Sequence, residues 1–256
     1  MDAATRETLR AALLDAQLCG DTLTPRESVV RNAKLLAAGD PDKLLGFSFP
    51  PLTEQSVIDD VAALCGCSND LSMLDGPGVI DVDRTLDGLA AAAGRLAQAA
   101  RRGQRVLLAT GHPTGLMPSY MTLARALQAA GCKTLTPRSG ERLNDLPRRH
   151  GNRVRYLDSV AVLTDGANLY HTHESWPMEM LLDSIDAPDL VVADHGFAGA
   201  AIVRGVSTIA FTDVNDPAIA VALARGMTRI VVPLDDNREP ERYLPMTEFL
   251  VQEVRA

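Results

Sequence analysis

Residues 189–217, DLVVADHGFAGAAIVRGVSTIAFTDVNDP, alternate twice between a short apolar run and a turn rich in ionisable side chains. Leu190 to Ala193 is apolar and ends in Asp194-His195-Gly196. A stretch of small residues follows and stops at Gly205, and Ser207 to Thr212 is apolar again and ends in Asp213-Val214-Asn215-Asp216. Runs this short, separated by a helix-length segment, predict strand, helix, strand, helix. Parallel strands joined in this way are buried on both faces, and their carboxyl ends lie side by side at the crevice of a doubly wound sheet. Asp194 and Asp213, 19 positions apart, are therefore expected to face one pocket.

The rest of the chain extends the same pattern. Arg105 to Ala109, Lys133 to Thr136 and Arg229 to Leu234 read as further strands, the last ending in Asp235-Asp236, and Pro118 to Ala130 reads as a helix closed by Gly131. Apolar runs within 153–173 break at Asp165-Gly166, a hairpin signal. Ahead of these, residues 3–19 are amphipathic. Thr24-Pro25-Arg26-Glu27 matches a capping box, with Thr24 as cap and Pro25 at the first helical position. Another helix is expected over about 54–64. Asp75-Gly76-Pro77-Gly78 is a turn cluster. The predicted fold class is α/β, a Rossmann-like, mainly parallel sheet over residues 76–256, with an N-terminal helical region, residues 1–75, as a cap.

Length and charge narrow the function classes. A chain of 256 residues buries one large α/β domain with a helical appendage. No apolar run reaches the ~18–20 residues of a membrane span, and the charged start MDAATRETLRAALLDA lacks the pattern of a secretory signal. Four cysteines without zinc spacing then read as reduced and structural, and the expected location is cytoplasmic. A net charge of −8 argues against nucleic-acid partners. The charge is uneven: residues 125–155 carry eight Arg or Lys against two acids, and residues 156–256 carry 16 acids against six bases. A basic stretch suits phosphate and an acidic one a divalent metal, although both also occur as ordinary solvated faces. A homo-oligomer is compatible with this composition.

Four constellations carry candidate chemistry. Thr110-Gly111-His112-Pro113-Thr114-Gly115 follows a strand and opens a helix, where free N–H groups suit an anion; it matches neither a dinucleotide fingerprint nor a Walker loop. His171-Thr172-His173-Glu174 places two imidazoles at strand spacing, on one face of a predicted strand from Asn168 to His173, able to share a metal. The acidic exits Asp194, Asp213 and Asp216 form the third, with Asp235-Asp236 as a further arm; Asp216 before Pro217 also reads as a helix cap. The fourth, Asp81-Val82-Asp83-Arg84-Thr85, matches the DxDxT of haloacid-dehalogenase phosphatases, in which the first aspartate is the nucleophile. Only Val79-Ile80 precede Asp81, less than a central strand, so Asp83 reads better as the cap of the helix beginning at Arg84.

As an ordered set, VLLATGHPTGL, TLTP, HTHESWP, VVADHG, TDVNDPA and VVPLDD resemble a family of high-GC bacteria known simply as phosphatase. The resemblance runs from about Val79 to the C-terminus and implies hydrolysis of a phosphate ester. A fainter likeness to metal-dependent sugar phosphatases would place a metal-binding echo at Leu143-Asn144-Asp145. The expected activity is that of a metal-dependent phosphomonoesterase acting on a small phosphorylated metabolite. In it His171, His173, Asp194, Asp213 and Asp216 hold Mg²⁺ or Mn²⁺. His195 or His112 protonates the leaving group beside Asp194. Thr110, Gly111, Thr114, Gly115 and an arginine such as Arg138 or Arg142 hold phosphate. A metal-assisted lyase, cyclase or isomerase, or a non-catalytic ligand-binding domain, would use the same residues.

Overall fold

The computed structural model describes residues 1–141 and 146–256. Its first part runs α1 (Ala3–Asp15), β1 (Gly20–Pro25), α2 (Arg26–Ala37), α3 (Pro41–Leu44), α4 (Glu54–Cys65), β2 (Pro77–Ile80) and α5 (Val82–Arg101). The sheet region follows as β3 (Arg105–Thr110), α6 (Pro113–Ala129), β4 (Lys133–Thr134), β5 (Arg153–Leu157), β6 (Val160–Thr164) and α7 (Trp176–Asp183). It continues with β7 (Leu190–Asp194), α8 (His195–Val203), β8 (Thr208–Thr212), α9 (Pro217–Ala224) and β9 (Ile230–Pro233). A 3-10 turn (Pro240–Tyr243) and α10 (Leu244–Arg255) close the chain. Arg142 and the Leu143-Asn144-Asp145 echo lie outside the described residues.

The seven-stranded sheet has the order β5-β6-β3-β7-β8-β9, with the two-residue β4 also paired to β3. Every pairing is parallel except β5 with β6. Taken in chain order, the long parallel strands β3, β6, β7, β8 and β9 lie in the spatial order 2-1-3-4-5. This is the doubly wound, Rossmann-like arrangement, and its switch point falls between β3 and β7. The crevice is therefore flanked by β3, which leads into the Thr110–Gly115 turn, and by β7, which ends in Asp194, with β8 one strand further out. The buried strands β6, β7 and β8 have no exposed position, which is why their sequences are continuously apolar rather than alternating.

Helices α5 and α6 both pack against α10 in one layer, and α7 and α8 pack together in the other. Helices α8 and α9 are apolar all round and buried over most of their length, so something must cover their outer sides. The N-terminal segment does this: α2 and α4 lie on α9, while α1 lies on α5 and α10. One contiguous set of buried side chains runs from Leu9 and Val57 to the sheet strands and α10. Among the described residues no helix is long and apolar enough to cross a membrane.

Three local expectations are corrected. Thr24 caps no helix; it lies in β1, which pairs antiparallel with β2, and the residue before α2 is Pro25 without a side-chain cap. Asp81, not Asp83, caps α5, accepting from the Asp83 N–H at 2.7 Å, while Asp83 pairs with Arg6 and Arg10. Asp81 follows the small β1–β2 ribbon rather than a central strand, which removes the geometry an aspartyl nucleophile needs. The 153–173 hairpin turns at Asp158-Ser159, both with positive φ (47° and 70°), where the β5–β6 ladder closes. The turn at Asp165-Gly166 instead carries the chain from β6 into an extended segment with one isolated bridge, Thr164 to Leu169.

Candidate active site

Five chain segments meet at the carboxyl edge of the sheet beside the switch point. The first is the exit of β7. Asp194 is extended, His195 takes a left-handed φ of 47°, and α8 begins at once. That backbone costs of order 1–3 kcal/mol in a residue with a Cβ and persists because the surroundings hold it. Gly196 allows the segment 168–175 to lie across it: a Cβ there would sit 2.3 Å from the carbonyl oxygens of His173 and Glu174. The strained turn presents the His195 ring at the edge of the sheet while keeping it buried.

The second segment is 168–175. The strand expected from Asn168 to His173 is an extended run without a ladder, pinned by Tyr170 N–H to Leu163 O and Thr172 N–H to Gly111 O, both 2.9 Å. With Thr172 turned inward and buried, the flanking His171 and His173 share the other side, their ring centroids 5.0 Å apart. The spacing argument thus holds although the strand does not form. The third segment is the exit of β3, where His112 packs against His171 and His195 at 4.7 and 5.7 Å between centroids. The exits of β8 and β9 supply Asp216 and Asp236, both buried.

His195 is the hub. Its Nδ1 donates to Asp194 Oδ1 at 2.9 Å, and its Nε2 lies 3.2 Å from His171 Nε2, 3.4 Å from Asp216 Oδ2 and 3.6 Å from Asp236 Oδ2. Donors that share an ion at about 2.1 Å stand about 3.0 Å apart in an octahedron and about 3.4 Å in a tetrahedron. The distances from His195 Nε2 lie at or near that range, but His171 and the two aspartates fall into separate groups. Two groups of donors meet at His195, one of His171, His173 and His195 and one of His195, Asp216 and Asp236, each within 4.8 Å. Buried Asp236 Oδ2 and His112 Nδ1 have no hydrogen-bond partner among the described residues. The cluster thus has the donors, the spacing and an unsatisfied buried oxygen suited to a metal ion.

Its electrostatics follow from burial among carboxylates. Burial alone would lower the His195 pKa, but Asp216, the bond to Asp194 and Asp236 outweigh it and raise it to about 10. His171 is exposed on its outer side, but desolvation where it meets the cluster and the charges of His195 and His112 lower it to about 3; it is neutral, and its Nε2 accepts from His195. His112 is lowered for the same two reasons, burial first and the His195 charge second. Burial raises Asp236 well above the carboxylate range, with Asp213 and Asp216 adding to it. Burial likewise raises Asp213 to about 7, with Asp235 and Asp216 adding to it. Asp194 is lowered, its bond to His195 overcoming its burial.

The expected site residues divide as follows. His171, His173, His195 and Asp216 converge, with His112 stacked against them. Asp194 supports the cluster from behind: its Oδ1 also accepts from the Gly111 N–H at 2.7 Å, so that N–H is engaged within the protein and turned away from a phosphate. Asp213 is bound to the Thr24 hydroxyl and the Val214 N–H, both at 2.7 Å, and belongs to neither group of donors. Thr110 is buried and its hydroxyl takes the His112 N–H at 3.0 Å. Gly115 packs against the carbonyls of Asp236 and Arg238, whereas Thr114 is exposed at the start of α6. Arg138 pairs with Glu141 at 2.8 Å, away from the cluster. Sequence reasoning did not count Asp236 among the metal ligands, although its strand-end position was the available signal. It also gave no sign of Thr24 or Asp42, whose partners lie 189 and 131 residues away.

Over residues 4–256 the chain matches the profile of the family described as Phosphatase. It belongs to that family. It is also 38% identical, over 97% of its length and 96% of the other's, to Phosphatase SCO2771 of Streptomyces coelicolor, a high-GC bacterium. The match covers the N-terminal segment as well as the sheet, in keeping with the way β1 reaches Asp213 in this phosphatase. Hydrolysis of a phosphate ester therefore takes precedence over the lyase and ligand-binding readings of the same residues.

Proposed function

We propose that this phosphatase is a metal-dependent phosphomonoesterase acting on a small phosphorylated metabolite. The observation that carries the reading is the pair of donor groups that meet at His195, one with His171 and His173 and one with Asp216 and Asp236, each within 4.8 Å. His195 would hold it with Asp216 and Asp236, and His171 and His173 would complete the set as the two groups close on the ion. Three imidazoles with two carboxylates suit Mn²⁺ or Zn²⁺ better than Mg²⁺, which favours oxygen ligands and retains its water. Bound there, the ion would neutralise phosphate oxygens and supply a nucleophilic water near neutral pH.

The protein's own groups do the rest. Asp194 fixes the His195 ring through Nδ1 and leaves Nε2 for the ion, a carboxylate–histidine arrangement common behind metal sites. His112, kept neutral by burial, is the proton carrier: it takes a proton from the attacking water and returns one to the leaving alkoxide. The amino end of α6, capped by no side chain and bearing Thr114, favours the phosphate by its dipole and free N–H groups. A cleft of about 410 Å³ opens beside His173 between Leu44, Phe47 and Arg149, and this is where the alcohol half of the substrate fits. Its volume restricts that half to a small metabolite.

The test is phosphate release from a panel of phosphorylated metabolites by chelator-treated protein supplied with Mn²⁺, Zn²⁺, Mg²⁺ or none. Activity is expected to return with Mn²⁺ or Zn²⁺, and Asp236→Asn is expected to lose about a hundredfold through weakened metal binding. Full activity after chelation, or an unimpaired Asp236→Asn, would overturn the metal reading.

A further inference from the structure

The His173 ring is not held by its own segment. Its Nδ1 lies 3.1 Å from two oxygens of a single residue, the backbone carbonyl and the Oδ2 carboxylate of Asp42 in α3. Both oxygens are acceptors, so Nδ1 carries the hydrogen, and in the neutral ring the lone pair is then on Nε2. Asp194 makes the same choice for His195 from the opposite side of the cluster. The two carboxylates arrive by unrelated routes: Asp194 adjoins its histidine in sequence, whereas Asp42 is 131 residues from His173.

The seating of the Asp42 segment is specific. Leu45 O lies 1.9 Å from where a Cβ of Gly199 would stand, and a Cβ on Gly46 would lie 2.5 Å from the Ser175 Cβ. The segment 41–47 is thus pressed against both α8, which begins at His195, and the strap carrying His173. Lys43 pairs with the Asp42 carboxylate at 2.7 Å and steadies it without removing it from His173. The carboxylate is largely exposed, and against the partial desolvation of its inner side Lys43 and His173 hold it below its ordinary range.

We propose that Asp42 is a positioning residue of the metal site: it fixes the His173 ring and tautomer so that Nε2 is available to the ion. The proposal rests on the metal reading above, and it makes the N-terminal segment a working part of the site. Asp42 reaches the ion only through His173; it also lines the cleft beside that ring, so its effect is read on metal binding without substrate. Removing its carboxylate leaves only its carbonyl to hold Nδ1, so the Mn²⁺ affinity is expected to fall about tenfold, the low end for an outer-shell partner.

The experiment is a double-mutant cycle read by calorimetry with Mn²⁺, using the wild type, Asp42→Ala, Asp42→Asn, His173→Ala and the Asp42→Ala/His173→Ala pair. Asp42→Ala is expected to weaken binding about tenfold, Asp42→Asn less because its amide oxygen still accepts, and the pair no more than His173→Ala alone. Nitrogen chemical shifts of the His173 ring in metal-free protein give a second readout. They should show hydrogen on Nδ1 in the wild type and a growing share on Nε2 in Asp42→Ala. Additive losses in the cycle, or an unchanged affinity and tautomer in Asp42→Ala, would overturn the proposal. If the wild type binds no Mn²⁺, the metal reading fails, and with it the purpose assigned to Asp42. The ring measurement then decides separately whether Asp42 orients His173.

Discussion

Metal binding should compete with a single proton, the one on His195 Nε2. In the metal-free protein the carboxylates Asp216 and Asp236 raise this ring to about 10. Near pH 7 only about one molecule in a thousand then has Nε2 free, a handicap of about 4 kcal/mol on ion binding. Each step of one pH unit toward 10 removes about one of those three decades, a factor of about ten in affinity. A rise of about two pH units from mildly acid to mildly alkaline should therefore strengthen Mn²⁺ binding about a hundredfold, and more if the Asp236 proton leaves as well. Calorimetry on chelator-treated protein, in buffers of low and high ionisation enthalpy, measures both the affinity and the protons released. A flat affinity with no buffer-dependent heat would refute the reasoning, because the ion would not then displace the His195 proton. The same shift has a stability consequence. A histidine raised above its ordinary 6.5 stabilises the fold fully below that pH and loses the contribution as pH climbs through about 10. The metal-free protein should weaken toward alkaline pH while the stabilisation gained from Mn²⁺ grows.

Three further outcomes follow from particular contacts. Asp236→Asn removes a buried carboxylate that the fold disfavours in its charged form, so the metal-free protein should gain about 1 kcal/mol, or about 2–4 °C in Tm, even as metal binding is lost; a lower Tm would contradict this. Thr24→Val keeps the shape of the side chain but deprives buried Asp213 of its hydroxyl donor, and denaturant unfolding should show a loss of about 1–3 kcal/mol. Asp81→Asn should retain activity and stability because asparagine caps a helix as well as aspartate, whereas Asp81→Ala should cost about 1 kcal/mol; loss of turnover in Asp81→Asn would restore the aspartyl-nucleophile reading.

Local patterning was enough for the class of fold and for the edge of the sheet at which the ionisable side chains gather. Continuous apolar runs ending in Asp194-His195 and Asp213 report strands buried on both faces, and strand ends are a local property of the chain. The strand spacing of His171 and His173 was legible in the same way, because alternation of side chains needs only an extended backbone, with or without a ladder. What local pattern could not contain was the choice among several carboxylates at that edge. Asp213 and Asp236 have similar surroundings in sequence, yet Asp213 is bonded to Thr24 and Asp236 faces His195. That choice depends on β1 pairing with β2, which also overrode the capping box written at Thr24. Local cap energies are about 1 kcal/mol, and a buried hydroxyl–carboxylate bond together with strand pairing outweighs them. Asp42 is the clearest case of a decision made only by the tertiary structure. Its short helix carries no signal of chemistry, and it meets His173 only because the tight contacts of Gly46 and Gly199 bring the two backbones together.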